Sequence, residues 1–150
     1  MGKNIIGLKN VKSQIRQEAP TVHLVGAGPG DPELMTLKGR RLLAQAGVVV
    51  YAGSLIPPAV LEMAPKRAEL HDSAKMTLEQ IIEVIVRAVR EGKRVVRLAS
   101  GDPTIVGASA EQSEALAKEG IRLETIPGVS SFTAAAAALG QELTLPEICQ

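Results

Sequence analysis

Thr21-Val-His-Leu-Val-Gly-Ala-Gly-Pro-Gly-Asp-Pro32 is an apolar run that breaks into a turn of glycine and proline. The run predicts a strand over Thr21–Val25, and the glycines predict a tight loop at its carboxyl end. Further along, Arg94-Val-Val-Arg-Leu-Ala-Ser-Gly-Asp-Pro103 has the same plan. Here the strand reads as Arg94–Leu98 and the loop as Ser100-Gly-Asp-Pro103. A helical pattern follows each loop. Two Gly-Asp-Pro turns at strand ends gather backbone N–H groups around one crevice of an α/β sheet, which is where such folds bind small molecules.

Working outward from these two stretches, short aliphatic runs alternate with longer helical periods, the pattern of βαβ units and a mainly parallel sheet. Further strands are predicted at Val48–Tyr51, near Glu69–His71 and at Arg122–Ile126. Helices are predicted near Leu34–Ala46, Pro57–Met63, Leu78–Glu91, Ala108–Lys118 and Ser131–Leu139. The Leu78 helix is the best marked. Thr77 and Gln80 form a capping box, Gly92 closes the helix, and Ile81, Ile82, Ile85, Val86 and Val89 share one face. The Ala134–Ala138 run reads as a helix whose small side chains let it approach the sheet closely. A third loop, Pro127-Gly-Val-Ser-Ser131, reads as a strand-to-helix turn with a serine cap.

Composition narrows the function classes. The 150 residues suffice for one domain with a real core, and 45% are apolar. The formal charge is +1 and the basic residues are dispersed, so there is no electrostatic footprint for nucleic acid or an anionic membrane. Tyr51 and Phe132 are the only aromatics, which argues against base stacking and calls for an aliphatic core. Cys149 is the single cysteine, so neither a disulfide framework nor a metal-ligand set is expected. Residues 1–20 hold no apolar run long enough for a signal peptide or a membrane span, and read as a flexible or weakly helical extension. A cytoplasmic location is expected.

The first loop differs from the better-known phosphate motifs. No Gly-Lys-Ser/Thr triplet follows Gly26, as a Walker A loop requires. Counting from Gly26, the sixth residue is Asp31 where a dinucleotide fingerprint needs glycine. Pro29 removes an N–H that would face a pyrophosphate, and no acid follows the second strand. The loops suit close backbone approach instead. Asp31 and Asp102 each stand where they can cap a following helix, so backbone contacts are expected to outweigh carboxylate chemistry.

Taken in order, Val25-Gly-Ala-Gly-Pro-Gly-Asp-Pro-Glu-Leu34, Thr36-Leu-Lys-Gly39, Tyr51-Ala-Gly-Ser-Leu55, Ser100-Gly-Asp-Pro103 and Pro127-Gly-Val-Ser-Ser131 closely resemble the tetrapyrrole methylase family. The resemblance runs from about Thr21 to the end of the chain. Within the family, Tyr51–Leu55 and Asp72-Ser73-Ala74 look like the branch that methylates precorrin-4 at C11 in cobalamin biosynthesis. Ala52 stands where related porphyrinogen and precorrin enzymes commonly have an aspartate. The resemblance implies S-adenosyl-L-methionine as methyl donor, a tetrapyrrole acceptor and a homodimer of two-domain subunits. It matches Pro29, Ser100, Gly101, Asp102, Ile105, Ser130 and Ser131 to donor-binding positions. Gly28, Gly30 and Asp31 would border the macrocycle.

No catalytic acid or base is assigned. For His71, contact with an acidic macrocycle is the alternative to a solvent-facing strand end, which is expected; His23 is expected as a structural histidine in the first strand. For Lys38, Arg40 and Arg41, pairing with substrate carboxylates is the alternative to facing water, which is expected. The family's second α/β domain follows the Leu143–Pro146 region, so residues 21–145 read as the amino-terminal domain and 146–150 as the start of a connection. The chain is then expected to hold half a site, with weak donor binding and little turnover. The alternatives are a methyltransferase of the same family with another acceptor, and a non-catalytic interaction module.

Overall fold

The computed structural model describes residues 19–105 and 109–144. Five parallel strands form its sheet: β1 (Thr21–Gly26), β2 (Val48–Tyr51), β3 (Glu69–Asp72), β4 (Val95–Ala99) and β5 (Arg122–Ile126). Their spatial order is β3-β2-β4-β1-β5. Aliphatic side chains on both faces of the central strands bury into two cores, as a sheet covered on both sides requires. One core packs Val25, Val49, Val96 and Leu98 against helices α1 (Leu37–Leu43) and α2 (Pro58–Leu61). The other packs Val22, Val48, Val50 and Val95 against α3 (Leu78–Arg90) and α4 (Ser109–Lys118). A last helix, α5 (Ser131–Leu139), follows β5.

This arrangement decides where a ligand can enter. The chain leaves β1 toward α1 on one face and leaves β4 toward α4 on the other, although β1 and β4 are neighbours. The two connections diverge and leave a crevice at the carboxyl ends of these strands, the topological switch point of an open α/β sheet. In register, Val25 pairs with Leu98 on one side and with Ile126 on the other. The loops after β1, β4 and β5 therefore start at one level.

The main departures from the sequence reading lie at helix ends. The helix predicted from Leu34 begins at Leu37, because Asp31 and Pro32 first start a separate 3-10 turn over Pro32–Leu34. Thr36 then opens α1 by accepting the Gly39 N–H at 3.1 Å. At its other end the N–H groups of Gln45 and Ala46 turn back to the carbonyls of Leu42 and Leu43, which tightens the chain and ends α1 before Ala46. The Pro57–Met63 prediction shortens to Pro58–Leu61, with Pro57 at the N-cap and the N–H groups of Met63 and Ala64 turning back to the carbonyls of Val60 and Leu61. The Thr77–Gln80 capping box is present, and Ile81, Ile85, Val86 and Ala88 are buried. The predicted start at Ala108 lies outside the described residues, as do 1–18 and 145–150.

The alanine run needs a larger correction. Of α5 only Ala136 is buried; Phe132, Ala135, Ala137, Ala138 and Leu139 are exposed. Small side chains do permit close approach, but the described residues make contact along one narrow stripe.

Candidate functional site

Three glycines bring the loops together. A methyl group on Gly128 would lie 2.2 Å from the Gly101 carbonyl oxygen and 2.9 Å from the Gly26 Cα. One on Gly26 would lie 2.7 Å from the same oxygen. The Gly26 and Gly128 backbones can close on each other and on the Gly101 carbonyl because neither carries a side chain. Gly28 and Gly101 then exchange two backbone hydrogen bonds, at 3.2 and 2.7 Å, so the first and second loops form a short antiparallel bridge. Gly101 takes a positive φ of 60° in doing so.

Above this contact opens a pocket of about 490 Å³. Its walls come from the second loop (Ser100, Gly101, Asp102, Ile105), the start of α5 (Ser130, Ser131, Phe132), the β2 loop (Ala52, Leu55) and the end of β4 (Arg97, Leu98, Ala99). A wider groove of about 980 Å³ runs between α3 and α4, but its walls are outer helix faces and include no residue of the glycine loops. Among the described residues no group of three or more His, Cys, Asp or Glu is placed to hold a metal ion.

The charged groups of the pocket are fixed by the backbone. Asp102 accepts the Thr104 N–H at 2.9 Å and the Thr104 hydroxyl at 2.8 Å. These bonds, with the Gly128 N–H, hold its carboxyl below the ordinary aspartate value, the Thr104 N–H contributing most. The carboxylate therefore stays ionised, and it caps a turn here, not a helix. Arg97 is the cation. Its Nη1 donates to the carbonyls of Val50 at 3.2 Å and Leu98 at 3.1 Å, tying together the ends of β2 and β4. Burial lowers its pKa.

On the β2 side, the two segments that marked the family branch meet. The Asp72 carboxylate accepts the Gly53 N–H at 2.8 Å and the Ala74 N–H at 2.9 Å. A methyl group on Gly53 would fall on that carboxylate, so a larger residue there would have to displace Asp72 from its bonds. Ser73 donates through both its N–H and its hydroxyl to the Tyr51 carbonyl. The strand-end loop carrying Ala52 and Leu55 into the pocket is thus clamped from β3.

Of the residues singled out from the sequence, Ser100, Gly101, Asp102, Ile105, Ser130 and Ser131 line one pocket. Pro29, Gly28, Gly30 and Asp31 do not line it; they occupy the adjoining first loop, joined to it through the Gly28–Gly101 bridge. Asp31 is exposed and caps the 3-10 turn by accepting the Glu33 N–H at 2.8 Å. Ser130 stands at the N-cap of α5, but its hydroxyl makes no capping bond. His71 is half-buried, its Nε2 3.6 Å from Glu69. That corrects the expectation of a solvent-facing side chain, because the neighbouring groups close over the imidazole. His23 and Lys38 both face Glu124 at the β5 edge, away from the pocket, and burial lowers the His23 pKa despite that carboxylate. Arg40 and Arg41 are exposed. Arg97, Leu55 and Phe132 are pocket residues that the sequence reading passed over. An arginine inside the aliphatic run Val95–Leu98 was the available signal.

A family model described as Tetrapyrrole (Corrin/Porphyrin) Methylases matches residues 21–150. The chain belongs to the tetrapyrrole methylase family. Among curated tetrapyrrole methylases, the cobalt-precorrin-4 C(11)-methyltransferase of Methanocaldococcus jannaschii is 57% identical over 129 residues, which is 86% of this chain and 50% of that one. A crystal structure of a cobalamin biosynthetic enzyme, cobalt precorrin-4 methyltransferase, superposes with a TM-score of 0.81 at 46% identity, covering 85% of this chain and 53% of that one. The uroporphyrin-III C-methyl transferase of Thermus thermophilus, complexed with S-adenosylhomocysteine, superposes at 0.70 with 39% identity, covering 85% of this chain and 51% of that one. The chain spans about half the length of the tetrapyrrole methylases it matches. No described helix is long and apolar enough to cross a membrane.

Proposed function

We propose that this chain forms the donor-binding wall of an S-adenosylmethionine-dependent C-methyltransferase that methylates precorrin-4 at C11 in cobalamin biosynthesis. One observation carries the reading: the loops after β1, β4 and β5 meet at Gly26, Gly101 and Gly128, and the pocket above them is lined by Ser100, Gly101, Asp102, Ile105, Ser130 and Ser131, which match the family's donor positions, with Pro29 in the adjoining first loop. The precorrin-4 acceptor is supported by the higher identity and TM-score to the cobalt precorrin-4 enzyme than to the uroporphyrin-III enzyme.

The pocket suits such a donor. Its volume is that of an ordinary small-molecule site, and it combines apolar walls with a few fixed polar groups. When bound, the donor supplies a methyl group already activated on a sulfonium sulfur and leaves as S-adenosylhomocysteine. The protein's work is then to hold, orient and keep dry. Asp102 stays ionised and presents negative charge to a cationic ligand. Ser130, Ser131 and the opening N–H groups of α5 offer hydrogen bonds, while Gly101 permits close backbone approach. Leu55, Ile105 and Phe132 exclude water. Gly28, Pro29, Gly30 and Asp31 border the acceptor from the adjoining loop.

The working protein is cytoplasmic and a homodimer on this reading, with no nucleic-acid or membrane partner. The near-neutral, dispersed charge supports the latter. Calorimetric titration with S-adenosylhomocysteine tests the proposal. Saturable binding that weakens on Ser131→Leu is the expected result; a folded chain that takes up no S-adenosylhomocysteine at any concentration would refute it.

A further inference from the structure

The pocket contains a cation that has no acidic partner among the described residues. Arg97 lies on β4 between Val96 and Leu98, which both bury into the α1–α2 core, so its side chain leaves the other face of the sheet, and it lines the pocket together with Ala52, Leu98 and Ala99. Both hydrogen bonds of its side chain leave from Nη1 and end on backbone carbonyls, those of Val50 and Leu98. They fix the plane of the guanidinium. Nε is buried without an acceptor, and no acidic group among the described residues offsets the desolvation of this side chain.

A charge drawn out of water without a partner is costly, so a protein that needed only to bridge two carbonyls would do better with a neutral donor. What an arginine adds is the fork of Nε–H and Nη2–H, which fits the two oxygens of a carboxylate. Among the described residues no acceptor meets either N–H of that edge, Nε being buried and Nη2 not. Asp102, the other charge of the pocket, is already engaged by Thr104 and the Gly128 N–H.

We propose that Arg97 is the carboxylate anchor of this pocket, pairing with a carboxylate of the bound ligand. The inference rests on the function proposed above and deepens it. Both reactants of that function carry carboxylates: the donor in its amino-acid tail, the tetrapyrrole on its rim. Arg97 touches ligand without taking part in bond making, so it acts in binding and orientation.

The test compares the full chain with Arg97→Met and Arg97→Lys, each first checked for an intact fold by circular dichroism and thermal melting. Three probes are titrated: S-adenosylhomocysteine, 5′-methylthioadenosine, which keeps the adenosine and thioether but lacks the amino-acid tail, and uroporphyrin III as a stable tetrapyrrole polycarboxylate. If the anchor holds the donor, Arg97→Met weakens S-adenosylhomocysteine about tenfold or more and leaves methylthioadenosine unchanged. If it holds the acceptor, the same variant spares both adenosine ligands and weakens uroporphyrin by a similar factor. Arg97→Lys retains part of either preference, and it carries the test alone if Arg97→Met does not fold. Unchanged binding of all three probes overturns the inference, as does an equal loss for all three, which marks a purely structural arginine. An unmodified chain that binds neither S-adenosylhomocysteine nor uroporphyrin refutes the underlying function instead, and the anchor with it.

Discussion

At the scale of single residues, the site depends on missing side chains. Gly26, Gly101 and Gly128 sit so close that one added methyl group on Gly128 would overlap a carbonyl oxygen. Backbone cannot yield as the tip of a flexible side chain can, so Gly128→Ala should cost about 1–3 kcal/mol or more. The measurement is a denaturant melt, and a change within experimental error would count against the close contact. Asp102 makes a second prediction. Its pKa is lowered in the folded chain, so its contribution to stability is complete above the ordinary aspartate value of about 3.9 and is lost as pH falls through the lower folded value. Asp72, held by the Ala74 and Gly53 N–H groups, has the same sign, as has His23 in a window that opens below its ordinary 6.5. Asp102→Asn keeps an oxygen for Thr104 but cannot titrate. Its melting temperature should therefore fall less steeply than the parent's below about pH 4, as melts across an acid pH series would reveal.

At the scale of elements, capping explains which predictions held and which shifted. The Thr77–Gln80 box could be read from spacing alone, since both partners belong to one turn of chain. Thr77→Ala should cost about 1 kcal/mol, read as a lower urea midpoint with an unchanged slope. The Leu34–Ala46 prediction merged two elements because apolar residues on either side of Thr36 keep a helical rhythm, while Asp31 and Thr36 each start a separate turn. Helix α5 misled differently. Its alanines suit close packing, but what lies against a helix is decided by elements far away in sequence, and here only Ala136 is covered.

At the scale of the whole molecule, exposed apolar side chains gather near the pocket mouth and α5. Leu55, Ile105, Phe132 and Leu139 are all more than half exposed, at 58%, 52%, 51% and 72%. Clusters of this kind favour association. Sedimentation velocity over a wide concentration range should find the chain self-associating, and Phe132→Ser should weaken that; a strict monomer throughout would contradict it. The alternation of aliphatic runs with helical periods determined the parallel α/β class, and the ordered glycine motifs determined the family, because both are properties of local spacing. Local spacing also marked Ser100–Asp102 and Ser130–Ser131 as site residues, since each loop directly follows its strand. Strand order was not available from the chain read in one dimension, and neither was the meeting of Gly26, Gly101 and Gly128. Those depend on β1 being placed between β4 and β5, a pairing of segments about seventy to a hundred residues apart that only burial on both sheet faces selects. For the same reason Arg97 reads as one more strand residue in the sequence, and only folding puts it beside the pocket, with no acidic partner among the described residues.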